Sequence, residues 1–97
     1  MRQNAIVDVN TIEEVMEYFK DKRAMVKIAK AIRERNITGP YKVYHWNLCS
    51  IDTPLFTVCY DVNKKEYYIL KDNKAVYFSK TSDGIIMYID AVLTFYN

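Results

Sequence analysis

The sequence is poor in the residues that interrupt regular secondary structure, with only two glycines and two prolines among 97 residues. Glycine permits positive φ and proline removes a backbone donor, so their scarcity favours regular elements joined by short polar turns. The composition, 51% apolar and 27% charged, is typical of a globular protein rather than a disordered one. A chain of this length predicts one compact domain that spans residues 1–97.

Long apolar runs are also absent. No stretch approaches the ~20 apolar residues needed to cross a bilayer, and the run at residues 5–7 is too short for a secretory signal. There are only two cysteines, Cys49 and Cys59, and two cysteines do not indicate a disulfide framework. These absences predict a cytoplasmic protein with reduced thiols that does not act at a membrane.

The residue patterns that indicate catalysis are missing as well. His45 is the single histidine, and with Cys49 and Cys59 it would provide three zinc ligands of suitable type. Their spacing, however, matches no common zinc motif. Gly39 and Gly84 stand alone, so no glycine-rich phosphate loop is present. We therefore predict a protein that is not an enzyme, with no catalytic residues, no metal site and no cofactor.

Two amphipathic helices are predicted near the N-terminus, after a weakly indicated strand at residues 5–9. Thr11 and Glu14 have the spacing of a capping box, which marks a helix start. Two apolar stripes follow, and they would face opposite sides of one continuous helix, so we predict a break near Asp21, with Asp21 as a candidate N-cap. The second helix should end near Asn36, before Gly39-Pro40. The stripes comprise Ile12, Val15, Met16 and Phe19, then Met25, Ile28, Ala29 and Ile32.

Residues 41–79 predict a four-stranded antiparallel β-meander that contains six of the nine tyrosines and the single tryptophan. The predicted strands are residues 41–48, 55–62, 67–71 and 75–79, with residues 49–54 as a turn segment. Asp72-Asn73 fits a two-residue hairpin turn, because both residue types tolerate positive φ. A final helix should begin at Thr81 or Ser82 and pack on one sheet face. The fold class is therefore α+β.

Strand alternation divides the predicted meander into two faces. A regular hairpin at Asp72-Asn73 gives one nearly all-apolar face, which predicts the core: Phe56, Val58, Tyr60, Val62, Tyr67, Ile69, Val76 and Phe78. The second face mixes aromatic and polar groups, and exposed aromatic surface commonly binds partners. It predicts a partner-binding surface at Tyr41, His45, Tyr68 and Tyr77. The alternative is that the N-terminal helices cover this face and give a three-layer structure.

Basic residues are concentrated between positions 20 and 42, with eight Lys or Arg against two acidic residues. On the second predicted helix, Arg23, Lys27 and Lys30 lie opposite the apolar stripe, with Arg33 at its flank. A basic stripe on one helix is typical of phosphate-backbone binding. It is also typical of an ordinary solvated helix face.

Two functions from different classes follow from these patterns. The leading hypothesis is a small non-enzymatic protein-interaction module, such as an inhibitor, adaptor or regulator, that acts through the aromatic sheet face. A homodimer through that face is a related alternative. The second hypothesis is a nucleic-acid-binding protein that uses the basic helix. The Tyr-, Lys-, Asn- and Ile-rich, Gly- and Pro-poor composition resembles that of small accessory proteins of AT-rich bacteria or their phages, although no motif carries the resemblance.

Overall fold

The computed structural model describes residues 5–96, which form one antiparallel sheet and a layer of helices. The sheet has six strands in the order of the chain. Two helices lie in the chain between the first and second strands, and the other strand connections are short. The elements are β1 (Val7–Val9), α1 (Ile12–Tyr18), α2 (Arg23–Glu34), β2 (Tyr41–His45), β3 (Leu48–Asp52), β4 (Thr57–Asp61), β5 (Glu66–Lys71), β6 (Lys74–Ser79) and α3 (Ser82–Tyr96).

The α+β class and the antiparallel sheet are confirmed, but the predicted count of four strands is wrong. The weakly indicated first strand forms β1, which pairs with β2. The predicted strand 41–48 is interrupted by a tight turn in which the Trp46 N–H donates to the Leu48 carbonyl at 3.1 Å. The predicted turn segment 49–54 is largely β3, since Cys49 and Ile51 alternate with polar residues and are fully buried.

Two separate N-terminal helices are confirmed, and α1 begins as the sequence predicts. The Thr11 hydroxyl accepts from the Glu14 N–H at 3.2 Å, while the Glu14 carboxylate accepts from the Thr11 N–H at 3.0 Å. These reciprocal bonds satisfy backbone donors that a helix start leaves free. The Asp21 cap is wrong, because Lys22 occupies the N-cap of α2 and makes no side-chain cap bond.

The end of α2 is fixed by Asn36, which has φ of 58°. The Asn36 N–H donates to the Arg33 carbonyl at 3.0 Å, and the Ile37 N–H donates to the Ile32 carbonyl at 3.2 Å. This is the Schellman pattern, in which a left-handed residue lets the chain satisfy the last carbonyls of the helix. Ile32 and Ile37 are both buried, so the motif also fixes a packing contact at the helix end.

The three helices form one layer, with α2 in contact with both α1 and α3. α1 contacts β1 and β2, whereas α3 contacts β5 and β6. The core cluster combines buried helix residues with one face of the sheet, including Val43, Ile51, Val58 and Ile69. The prediction that the C-terminal helix packs on a sheet face is confirmed, and the three-layer alternative is wrong. Among the described residues, no helix is long and apolar enough to cross a membrane.

A candidate protein-binding face of the sheet

A β-bulge in β6 decides which side chains the sheet presents on each face. Leu70 pairs with Ala75, but the next residue of β5, Ile69, pairs with Tyr77. Val76 is therefore an extra residue, and the strand beyond it is shifted by one position. A shift of one residue exchanges the two faces of a strand. Val76 and Phe78, predicted as core, are consequently 44% and 56% exposed.

One uncharged row of side chains crosses the face of the sheet that the described helices leave uncovered. Each member is directly paired with the next across five neighbouring strands. At a strand spacing of about 4.8 Å, the row extends roughly 19 Å. Its two ends are aromatic and its centre has two small residues. From β2 to β6 the row comprises Tyr44, Ser50, Cys59, Tyr68 and Phe78. We call these five residues the central row.

Charged residues lie on both sides of the central row. One flanking row contains Lys42, Asp52 and Thr57, and the Thr57 hydroxyl donates to the Asp52 carboxylate. The row on the other side runs from Leu48 through Asp61 to Glu66. An uncharged centre with a charged border is the usual composition of a protein-binding surface, because the centre loses water on binding while the border stays solvated.

The β5–β6 end of the central row is its most exposed part. The Tyr68 and Phe78 rings lie 5.8 Å apart between centroids. Cys59 is buried although it faces away from the helices, and this burial raises the pKa of its thiol to about 11. Burial, followed by the neighbouring Cys59, also raises the pKa of Tyr68. Both groups are therefore neutral at physiological pH, which keeps the row free of charge.

Of the four predicted sheet-face residues, only Tyr68 lies on this uncovered face. The face assignment of the other three is wrong. Tyr41 is buried in the core and its hydroxyl donates to the Ile37 carbonyl at 2.6 Å. Tyr77 faces α3, where its ring stacks on Tyr88 at 4.6 Å between centroids. The bulge explains Tyr77, because it moves this residue to the helix side.

His45 also lies on the helix-covered face, at the end of β2. Its ring centroid is 5.8 Å from that of Phe19 and 6.4 Å from that of Tyr18, at the end of α1. Pairing with β3 determines these faces, because His45 lies opposite the buried Cys49 whereas Tyr44 lies opposite Ser50. Within residues 5–96, no group of three or more His, Cys, Asp or Glu side chains is placed to hold a metal ion.

Tyr44 and Phe78 are the members of the uncovered aromatic surface that the sequence did not reveal. Phe78 was predicted in the core, and assigning Tyr41 and His45 to the partner-binding face implies the opposite face for Tyr44, which lies between them in the strand. Asn47 could have indicated the turn that reverses β2, because Asn is common in turns. We find no comparable signal for the bulge at Val76, a residue type that fits an ordinary strand.

The basic residues of α2 lie on the outer side of the helix layer. Arg23, Lys27 and Lys30, together with Lys20, line a shallow concavity of about 390 Å³. The predicted fourth residue, Arg33, instead approaches Glu13 of α1 at 3.5 Å. Two of these four basic residues also have carboxylate partners. These are Lys27 with Asp83 at 2.6 Å and Lys20 with Glu17 at 3.3 Å.

The chain matches no protein-family model, no curated protein and no solved structure in the three comparisons made.

Proposed function

We propose that this chain is a small non-enzymatic protein-interaction module, an inhibitor, adaptor or regulator, that binds another protein through the uncovered sheet face. The observation that supports this function most strongly is the central row, which ends in the exposed Phe78 ring beside Tyr68. Folding alone does not require this surface to be aromatic, because the helices bury the other face of the sheet. Tyr and Phe are also enriched where interfaces exclude water.

The size and chemistry of the central row fit a protein better than a small molecule. The row is open along roughly 19 Å of sheet, and none of its members is charged. Small-molecule sites are instead concave and enclose most of their ligand. An uncharged strip with charged residues on both sides matches the centre and rim of a protein interface.

The test is affinity capture from an extract of the native host with three forms of the protein as bait. These are the wild type, the double variant Tyr44→Ser with Phe78→Ser, and the control Met87→Ser. Met87 is 71% exposed on α3, away from the sheet face, and is therefore a matched loss of an exposed apolar side chain. Circular dichroism and the thermal midpoint of each bait establish that the variants remain folded.

We expect at least one host protein to be retained by the wild type and by Met87→Ser but lost from the double variant. The reason is that only the double variant removes both aromatic ends of the central row. An identical set of proteins on all three baits would contradict the proposal, and so would the capture of no protein by the wild type.

A second candidate function is nucleic-acid binding by the outer surface of α2. The observation in its favour is the convergence of Lys20, Arg23, Lys27 and Lys30 around one concavity, which would suit a phosphate backbone. The ion pairs of Lys20 and Lys27 with carboxylates weaken this candidate, because they offset part of the positive charge.

A gel-shift titration at low and moderate salt with double-stranded DNA and single-stranded RNA tests this second function. Binding by α2 predicts an affinity that falls steeply with salt and falls further in a variant with Arg23→Glu and Lys30→Glu. Equal affinity of the wild type and the variant, or no shift at low salt, would exclude it.

A further inference from the structure

The strand β6 forms one edge of the sheet and pairs only with β5. An edge strand leaves every second pair of its backbone N–H and C=O groups without a strand partner, so it can accept another strand. β6 is six residues long, whereas β1, at the other edge, is three residues long. Neither Pro nor Gly occurs in β6. The bulge at Val76 interrupts its ladder, but the extended backbone on each side of the bulge can pair with a further strand.

The side chains of β6 are unusually apolar for an edge. Val76 and Phe78 are 44% and 56% exposed, and Phe78 continues directly into Tyr68 of the central row. Proteins commonly protect edge strands with charge, with very short length or with a bulge. β6 has the bulge at Val76, but its middle carries no charge and it is not short, while Lys74 and Lys80 stand at its two ends.

A second copy of this chain is a poor occupant for the full length of this edge. Antiparallel pairing of β6 with itself must place side chains of the same sheet face opposite one another. The register centred on Tyr77 places Val76 opposite Phe78 of the other copy. Beyond this pair the faces no longer match, because the bulge leaves Lys74 on the helix-covered face with Lys71, whereas Lys80 follows Phe78 by two residues on the uncovered side.

From this edge we infer that β6 binds an extended segment of another protein as a seventh strand. This inference rests on the proposed function, because it specifies how the partner binds at the β6 end of the same face. The segment would carry apolar side chains beside Val76 and Phe78, which their exposure leaves available. It would carry Asp or Glu opposite Lys74 and Lys80. The Lys80 side chain is 75% exposed, although it approaches Glu66 at 3.7 Å.

The test uses a display library of random twelve-residue peptides selected on the immobilised full chain. We expect the enriched sequences to share an alternating apolar centre with acidic residues on both sides. Hydrogen–deuterium exchange then locates the best peptide, and the amides of β6 should exchange more slowly in its presence while those of β1 are unchanged.

A charge-reversed variant, Lys74→Glu with Lys80→Glu, distinguishes binding of the segment as a seventh strand from nonspecific peptide binding. It should bind the acidic peptide about tenfold more weakly than the wild type, because like charges now face each other. Selection on this variant should enrich basic residues at the same peptide positions. The control Met87→Ser should bind as the wild type does.

Enriched peptides without this pattern, or no enrichment, would overturn the inference. Peptides that bind without protection of β6 amides would also overturn it. The proposed function would survive either result if host-protein capture still depends on Tyr44 and Phe78. If host-protein capture no longer depends on Tyr44 and Phe78 but the bound peptide still slows exchange of the β6 amides, the edge strand is a binding site and the central row is not.

Discussion

Tyr68 and Phe78 face each other across β5 and β6 with their rings 5.8 Å apart, on the side of the sheet away from the helices. If β6 had no bulge and Val76 took a regular place in the ladder, alternation from the Lys71–Lys74 pair would set Phe78 opposite Tyr67, on the helix side. The bulge therefore determines the exposed aromatic surface on which the proposed function depends.

The bulge makes an unusual deletion tolerable. Deleting Val76 removes the extra residue and leaves Phe78 opposite Tyr68 and Tyr77 opposite Ile69, so we expect stability within about 1 kcal/mol of the wild type. Deleting Ser50 from the unbulged β3 should be much worse, because it turns Ile51 or Cys49 toward solvent at a cost of about 2 kcal/mol or more. Urea denaturation of the two deletion variants checks this difference. Equal stability of the two would show that the register is assigned incorrectly.

The hairpin turn at Asp72-Asn73 has φ of 53° and 64°, which is the positive φ that a type I′ turn requires at both residues. Asn73→Gly should therefore stabilise the protein by about 0.5 kcal/mol, since Gly adopts positive φ without steric cost. Asn73→Val should destabilise it by about 1–2 kcal/mol, because a β-branched residue is strained there. The two urea midpoints measure the effect, and a lower midpoint for Asn73→Gly than for Asn73→Val would contradict it.

The elements with local signals were predictable from the sequence. Thr11 and Glu14 mark the start of α1, and Asp72-Asn73 marks the last hairpin, because each depends on side chains within a few residues. The parity between β4 and β5 is also as predicted, with Tyr60 opposite Tyr67. Such features need no knowledge of distant contacts.

The features that decide the candidate site were not predictable in this way. The turn at Trp46-Asn47 lies inside a continuous strand-like pattern, so the sequence predicts one strand across residues 41–48 and does not indicate β3 as a separate strand. The bulge depends on how β6 pairs with β5 and packs against α3, rather than on the residue type at Val76. As a result, Tyr41, His45 and Tyr77 were assigned to the wrong face, and Tyr44 and Phe78 were missed.

Asp90 of α3 is bound by Arg35 at the end of α2, with the Arg35 Nη2 3.1 Å from Asp90 Oδ2. The hydrogen bond from Arg35 holds the pKa of Asp90 below its ordinary value of 3.8. Because the folded pKa is lower than the unfolded one, the stabilisation is fully present above the unfolded pKa. It is lost as the pH falls through the folded pKa.

Asp90→Asn should therefore lower the thermal midpoint at neutral pH and show a smaller further loss on acidification than the wild type. Asp21→Asn, in the exposed α1–α2 connection, is the control and should retain the wild-type midpoint at neutral pH. Thermal unfolding between neutral pH and pH about 3 makes the comparison. Parallel pH profiles for Asp90→Asn and the wild type would contradict the role of this ion pair.

Ile51 lies fully buried in β3, near the centre of the sheet, and packs in the core cluster under the helices. Ile51→Ala should lower the free energy of unfolding by about 2–5 kcal/mol, because it removes buried methylene groups and leaves a cavity. Met87→Ala, at a 71% exposed position, should change it by no more than about 0.5 kcal/mol. Urea titration measures both, and similar losses for the two would contradict the assignment of the helix-covered face as the core.

The most direct test of the proposed function is the affinity of a captured partner for the wild type, Phe78→Ala and Met87→Ala, measured by isothermal titration calorimetry. Binding through the uncovered sheet face predicts a loss of about tenfold or more for Phe78→Ala, as expected when an aromatic side chain at an interface is truncated. Met87→Ala should bind as tightly as the wild type. Undiminished affinity of Phe78→Ala would contradict the account.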